Sequence, residues 1–233
     1  MISTRVFDLV LSSFFQILLP GIFYTIPLTI ASFGCGMVLA IAAALARSAR
    51  IPVLEQICRF YVWVFRGTPL LVQLFVIFYG LPSAGIVLPA VPSAIIAFSL
   101  NCGAYMSETI RGSIEAVDKG QTEAGLALGL GKNQALFYIV LPQALKNSIP
   151  ALFNTLISLV KDTSLAANIT VAEMFMATQR IAAVTYEPLV MYLEVGFIYL
   201  MFCSSLSALQ RRMEISKTNT AFSRQPLLRA DPA

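Results

Sequence analysis

Glu115-Ala116-Val117-Asp118-Lys119-Gly120-Gln121-Thr122-Glu123-Ala124-Gly125-Leu126-Ala127-Leu128-Gly129-Leu130-Gly131 is a polar, glycine-punctuated segment set between long apolar runs. Asp118 followed three residues later by Gln121 has the capping-box spacing, which predicts that a short helix starts here. Gly129 and Gly131 predict its end, because glycine takes the left-handed backbone that closes a helix. A second short helix, over about 132–140, is expected to stop at Pro142. Ala124, Gly125, Ala127 and Gly129 put small residues on the first helix, and small residues permit close approach of another surface. The segment reads either as a docking element or as an ordinary loop.

On both sides of it the chain is built for lipid. Charged residues are 12% of the 233, against about 25% in a soluble domain. No charge occurs between Asp8 and Arg47, and none between Arg66 and Glu108. A helix needs about 20 apolar residues to cross a bilayer, so the first gap holds one span and something more. The second holds two spans with a turn marked by Gly80, Pro82, Gly85, Pro89 and Pro92. The expected spans are about 20–46, 60–81, 92–114, 143 to the 160s and 186–210, the first opening on Pro20, where a proline is tolerated. The first residues lack the basic cluster and the A-x-A site of a cleavable signal.

Residues 1–19 form a separate N-terminal unit in this reading. Phe7, Leu11, Phe14 and Leu18 recur at helical spacing beside a polar stripe of Asp8, Ser12 and Gln16. That pattern fits an amphipathic helix lying in the interface and equally an extension of the first span. Residues 20–212 make up the membrane domain, with the polar loop at about 115–142, and residues 213–233 read as a disordered tail. Twelve Lys and Arg fall in segments 47–59 and 111–146 and in the tail, against three on the other side: Arg5, Lys161 and Arg180. The positive-inside rule then puts the polar loop and the C-terminus in the cytoplasm and the N-terminus outside. The net charge of +4 is read as this bias and not as a nucleic-acid surface.

The sequence excludes several chemistries. It contains no His, so His-based zinc sites and His general bases are ruled out. Cys35, Cys58, Cys102 and Cys203 form no C-x-x-C pair and read as small buried hydrophobes. There is no G-x-S-x-G for an intramembrane hydrolase and no phosphate loop for the chain's own nucleotide. A passive channel or structural membrane subunit is compatible with hydropathy alone.

The polar segment resembles the cytoplasmic signature of ABC importer permeases: Glu-Ala-Ala, three residues, Gly, nine residues, Ile, one residue, Leu-Pro. Here the matching residues are Glu123-Ala124-Gly125, Gly129, Ile139 and Leu141-Pro142; every spacing is kept, and Gly125 replaces the second Ala. Four more stretches resemble the polar amino-acid subfamily: Phe65-Arg66-Gly67-Thr68-Pro69-Leu70, Ala104 to Arg111, Asp118-Lys119-Gly120-Gln121, and Lys161-Asp162-Thr163-Ser164-Leu165. The resemblance spans about residues 20–210. It implies an all-α integral membrane protein of the type I importer permease class, with five transmembrane helices and a coupling helix between spans three and four.

On that resemblance, Glu123, Ala124, Gly125, Gly129, Leu141 and Pro142 face an ABC ATPase dimer. ATP and Mg belong to that partner, and this chain binds no cofactor and is no enzyme. A second permease, identical in preference to different, and an extracytoplasmic solute-binding protein complete the assembly in a bacterial inner membrane. The carried substrate is a polar amino acid, with cystine-type permeases the nearest pattern and glutamine, histidine or an opine still open. Asp162 is expected to face the path and meet a substrate ammonium, with Asn154 two helical turns earlier on the same face. Thr155 stands where permeases for cationic amino acids tend to carry Glu, which argues against arginine or lysine. Arg66 is expected to shape a bend in span two and to contact a substrate carboxylate. Glu108 and Arg111 fit a structural pair at i,i+3. Glu194 matches no motif; pairing across a dimer interface is the one role the sequence suggests.

Overall fold

The computed structural model describes residues 2–48 and 52–222, with side chains over 7–48 and 52–214. Every regular element among them is helical. The order is α1 (Ile2–Pro20), a π turn (Gly21–Thr25), α2 (Ile26–Ser48), α3 (Pro52–Gly67) and α4 (Leu70–Phe75). A π turn (Val76–Gly80) and a 3-10 turn (Leu81–Ala84) lead to α5 (Ala90–Glu115), α6 (Lys119–Ala127) and α7 (Lys132–Ala135). A further π turn (Leu136–Val140), α8 (Leu141–Asp162), a 3-10 segment (Thr163–Ile169), α9 (Met174–Thr185) and α10 (Pro188–Phe222) follow.

Three stretches are long and apolar enough to cross a membrane: Phe7–Ser48, Ala90–Glu115 and Pro188–Glu214. Pro52–Gly67 and Leu70–Ala84 pass the same test only when taken together as one span, and they are bent by 109° at Gly67-Thr68-Pro69. The expected bend in the second span is thus close to a right angle. α8 does not reach the same apolarity, because Lys146, Asn147, Asn154, Thr155, Lys161 and Asp162 fall along it.

Two prolines act differently from the sequence expectation. Pro20 lies within a continuous helix instead of at its start, and the π turn after it carries the Ile26 N–H to the Gly21 carbonyl. Residues 2–20 therefore run on as helix through the π turn into α2. The 42 residues from Phe7 to Ser48 would measure about 63 Å at 1.5 Å each, twice the ~30 Å hydrocarbon core. The N-terminal part packs instead on α9 and α10 through Ile17, Met174, Val195 and Ile198. Pro142 likewise does not stop a helix. The π turn before it bonds Leu141 N–H to the Leu136 carbonyl, and the chain stays helical into α8. The wider turn absorbs a ring that would press on the carbonyl four residues back. At the other end α10 continues as helix beyond Arg212 to Phe222. The remainder of the expected tail, 223–233, lies outside the described residues, as does Arg50.

The core is the crossing of α2 and α5. Ala40, Ala44, Ala94, Ala97 and Phe98 are buried there. Lipid gives no hydrophobic drive between helices, so association depends on close packing of small residues. At Gly36 a Cβ would collide with Cys102 Sγ, and at Gly103 it would lie 3.0 Å from the Gly36 carbonyl oxygen. Tyr61 ties α3 to this crossing by donating to the Leu100 carbonyl at 2.6 Å. Near the start of the polar loop, Glu108 accepts from both Arg47 and Arg111, and Arg111 also donates to Glu115. The expected i,i+3 pair is therefore one part of a network that also fastens α2 to α5.

Glu194 finds its partner within the chain. Ser13 donates to its Oε2 at 2.6 Å, which links α1 to α10.

Candidate functional site

A cavity of about 490 Å³ opens where the break in the second span faces α5 and α8. Thr68, Pro69 and Leu70 come from the break, Asn101, Cys102 and Tyr105 from α5, and Asn154, Thr155, Ser158, Leu159 and Asp162 from α8, with Leu165 just beyond. Asn154, Ser158 and Asp162 are spaced by four, so one helix face carries an amide, a hydroxyl and a carboxylate into one space. This also accounts for the reduced apolarity of α8. Asp162 makes no hydrogen bond or ion pair among the described residues. A carboxylate withdrawn from water without a partner is costly, and a cationic group entering the cavity relieves that cost.

Arg66 does not line this cavity. Its Cζ lies 5.3 Å from the centroid of the Tyr105 ring, within cation–π range, and Tyr105 is the residue that reaches the cavity. Lys161 lines a separate recess of about 510 Å³ with Phe175, Tyr192 and Tyr199. Thr68 is marked in the sequence only as part of the motif at the bend, and Asn101 carries no motif at all. Asn101 was open to recognition as an amide inside a charge-free span, since polar groups at such depth are costly and often functional.

The polar loop forms a second built feature. Asp118 caps α6 by accepting from Gly120 N–H at 2.7 Å. The expected capping box is not formed: Asp118 takes the N–H of the second helical residue, and the Gln121 side chain instead accepts from Gln143 Nε2 at 3.2 Å, linking α6 to α8. At the other end Leu130 N–H reaches the Gly125 carbonyl, Gly129 N–H reaches Leu126, and Gly129 has φ of 86°. These paired bonds are a Schellman closure, which glycine makes without strain. Gly125 is buried; a Cβ there would stand 2.7 Å from Ile139 Cδ1 and 3.2 Å from Ala135 Cβ. Its departure from the Ala of the signature lets α6 lie closely on the next helix. Glu123, Ala124, Leu126 and Leu128 face outward, and Leu128 is 83% exposed. Pro142 is exposed and Leu141 half-buried.

Between α8 and α10, the fully buried Glu173 caps α9. Its carboxylate accepts from Met176 N–H at 2.7 Å, Phe175 N–H at 2.8 Å and the Tyr199 hydroxyl at 3.2 Å. Burial pushes this carboxyl up to about 6, although those three donors hold it down.

Residues 36–216 match the family described as binding-protein-dependent transport system inner membrane component. The chain belongs to that family. Among relatives, it is 53% identical over 208 residues to the L-cystine transport system permease protein TcyB of Bacillus subtilis (strain 168), covering 89% of each chain. A second L-cystine permease of that organism, TcyL, is 39% identical over 171 residues, covering 70% of this chain and 72% of the other. Among solved structures, an amino acid ABC transporter crystallised with histidines superposes with a TM-score of 0.79 at 32% identity, covering 92% of this chain and 96% of that one. Family members of this kind are inner-membrane transport components and not themselves enzymes, and the apolar helices of this chain fit such a membrane role.

Proposed function

We propose that this chain is the permease subunit of an ATP-driven importer for a polar amino acid, with cystine the first candidate. The observation that carries the reading is the unpaired Asp162 carboxylate, set among Asn101, Asn154, Thr155 and Ser158 in a cavity of a binding-protein-dependent transport protein. Every amino acid carries an ammonium that such a carboxylate suits. The two cystine permeases among the relatives favour cystine. Histidine is the second candidate, because the solved transporter at 32% identity holds histidines.

In this reading the five spans are Phe7–Ser48, the bent pair, α5, α8 and α10. α8 is the polar one because its inner face lines the path. α6 is the coupling helix, and its outward face, Glu123, Ala124, Leu126 and Leu128 with Gly129, meets an ATPase that holds ATP and Mg. Leu141 and Pro142 begin the helix that carries its movement to Asp162. A second permease copy and an external binding protein complete the machine. The charge bias places α6 and the C-terminus in the cytoplasm and the N-terminus outside.

Proteoliposomes holding the permease, its ATPase and its binding protein test the function. Uptake of radiolabelled cystine is expected to need ATP and to fall when unlabelled cystine competes. Stronger competition by histidine, glutamine or an opine would reassign the substrate, and uptake without ATP would remove the importer reading. Orientation is tested by Thr122→Cys in a variant lacking the four native cysteines. Labelling of that site in intact cells by an impermeant reagent would reverse the assigned topology.

A further inference from the structure

The break between α3 and α4 leaves helix-end carbonyls open inside the bundle. Such groups need donors where water is scarce. Gln73, on the first turn of α4 and only 7% exposed, supplies them. Its Nε2 donates to the Phe65 carbonyl at 2.9 Å, the Thr68 carbonyl at 3.0 Å and Thr68 Oγ1 at 2.8 Å. Thr68 Oγ1 is free to accept because its own proton goes to the Val64 carbonyl. Gln73 Oε1 then accepts from Asn101 Nδ2 at 2.9 Å, and the same Asn101 nitrogen reaches the Phe65 carbonyl at 3.2 Å.

These bonds leave one arrangement for both amides. If Asn101 were reversed, its Oδ1 would face the Phe65 carbonyl and Gln73 Oε1, three acceptors with no proton among them. Reversing Gln73 would set its oxygen against two carbonyls. Both hydrogens of Asn101 are therefore spent inside the protein. Its carbonyl oxygen has no protein partner among the described residues and is left to the cavity that Asn101 lines.

We propose that Gln73 is a positioning residue for transport: it clamps the broken span at Phe65 and Thr68 and fixes the carbonyl oxygen of Asn101 as an acceptor for a substrate N–H donor. This rests on the reading of the cavity as the substrate's path. Gln73 itself is absent from the cavity wall and acts only through Thr68 and Asn101. A cavity so built presents acceptors from two helices, Asn101 on α5 and Asp162 on α8, to one donor group.

The test is equilibrium binding of radiolabelled cystine to the purified permease–ATPase complex without binding protein. Gln73→Met keeps the length and apolar body of the side chain but loses every hydrogen bond. It is expected to raise the Kd by about five- to tenfold, the loss of about one hydrogen bond, while the complex elutes at the parental size. Gln73→Glu keeps the acceptor but sets a carboxylate against the Phe65 and Thr68 carbonyls, and is expected to weaken binding also. Asn101→Leu combined with Gln73→Met is expected to bind no worse than Asn101→Leu alone, because the two amides act as one unit. A residue with a merely structural role would lower the amount of assembled complex and leave the Kd of what assembles unchanged. Parental Kd in assembled Gln73→Met or Gln73→Glu, or additive losses in the double variant, would overturn the proposal. Asp162→Asn is measured beside them. If it binds as the parent does, or if the parent binds no cystine, the reading of the cavity itself fails. If Asp162→Asn is impaired and the Gln73 variants are not, only the positioning role falls.

Discussion

Lys161 and Asp162 are neighbours in sequence, yet their side chains line two separate cavities on different sides of α8. Residues one apart on a helix point in different directions. The ammonium's charge still acts on the carboxylate, but the two make no hydrogen bond or salt bridge, and Asp162 keeps its oxygens for an incoming cation.

The first prediction follows from that separation. Lys161→Gln should change the apparent affinity for the transported amino acid by less than about fivefold, the reach of one weak, screened charge interaction. Uptake measured over a range of substrate concentrations checks it. A loss in Lys161→Gln as large as that in Asp162→Asn would mean that the two side chains act as a pair.

The loop helix gives the second. Gly129 has nothing near its Cβ position, so a substitution there meets only backbone strain at φ of 86°. Gly129→Val should therefore cost about 1–2 kcal/mol locally and loosen the end of α6. Gly125 is limited by space instead. Gly125→Ala asks the flexible tip of Ile139 to shift and Ala135 to give slightly, and should be tolerated, whereas Gly125→Val should separate α6 from the helix beneath it. Substrate-stimulated ATPase activity in reconstituted complexes is expected to fall in both valine variants, with membrane insertion preserved. Full coupling in Gly129→Val and Gly125→Val would show that the shape of α6 is not what the ATPase reads.

Glu173 supplies a pH dependence. Its folded carboxyl titrates at about 6 against an ordinary 4.5, so the fold holds the proton more tightly than the unfolded chain. The protonated form is therefore the one the fold favours. Stability from this group is fully present below pH 4.5 and is lost as pH rises through 6. The loss is on the order of 2 kcal/mol. Melting midpoints of the purified permease should decline over that window, and Glu173→Gln, which stays neutral, should show a flatter profile. Parallel profiles for the two proteins would contradict this.

Much of this architecture is legible in the sequence, and the limits have physical causes. The charge gaps mark the apolar spans because charge in lipid is costly, and Asp118 and Gly129 mark α6 because caps are local. Gly67-Thr68-Pro69 marks a bend but not its 109°, which depends on amides that arrive from Gln73 and Asn101. Pro20 and Pro142 read as helix boundaries because a proline breaks a regular α ladder; Pro20 instead ends α1 while the helix runs on, and at Pro142 a preceding π turn carries the helix past the ring, a turn that nothing local announces. Ser13 and Glu194 meet across 181 positions, a contact that no spacing rule reaches. At the cavity, the spacing of Asn154 and Asp162 is enough to put them on one face. Asn101 and Thr68 join them only through the fold.

Asp162 is proposed to receive the ammonium of a transported amino acid. Asp162→Asn keeps the size and removes the charge. A charge-assisted hydrogen bond contributes about 1.5–3 kcal/mol, or roughly 10- to 150-fold in affinity. Uptake of radiolabelled amino acid into proteoliposomes with ATPase and binding protein, in Asp162→Asn beside the parent, measures it directly. Uptake of every amino acid the parent carries is expected to weaken, with assembly on the ATPase intact; parental rate and apparent affinity in Asp162→Asn would show that the residue is structural and that the substrate ammonium binds elsewhere.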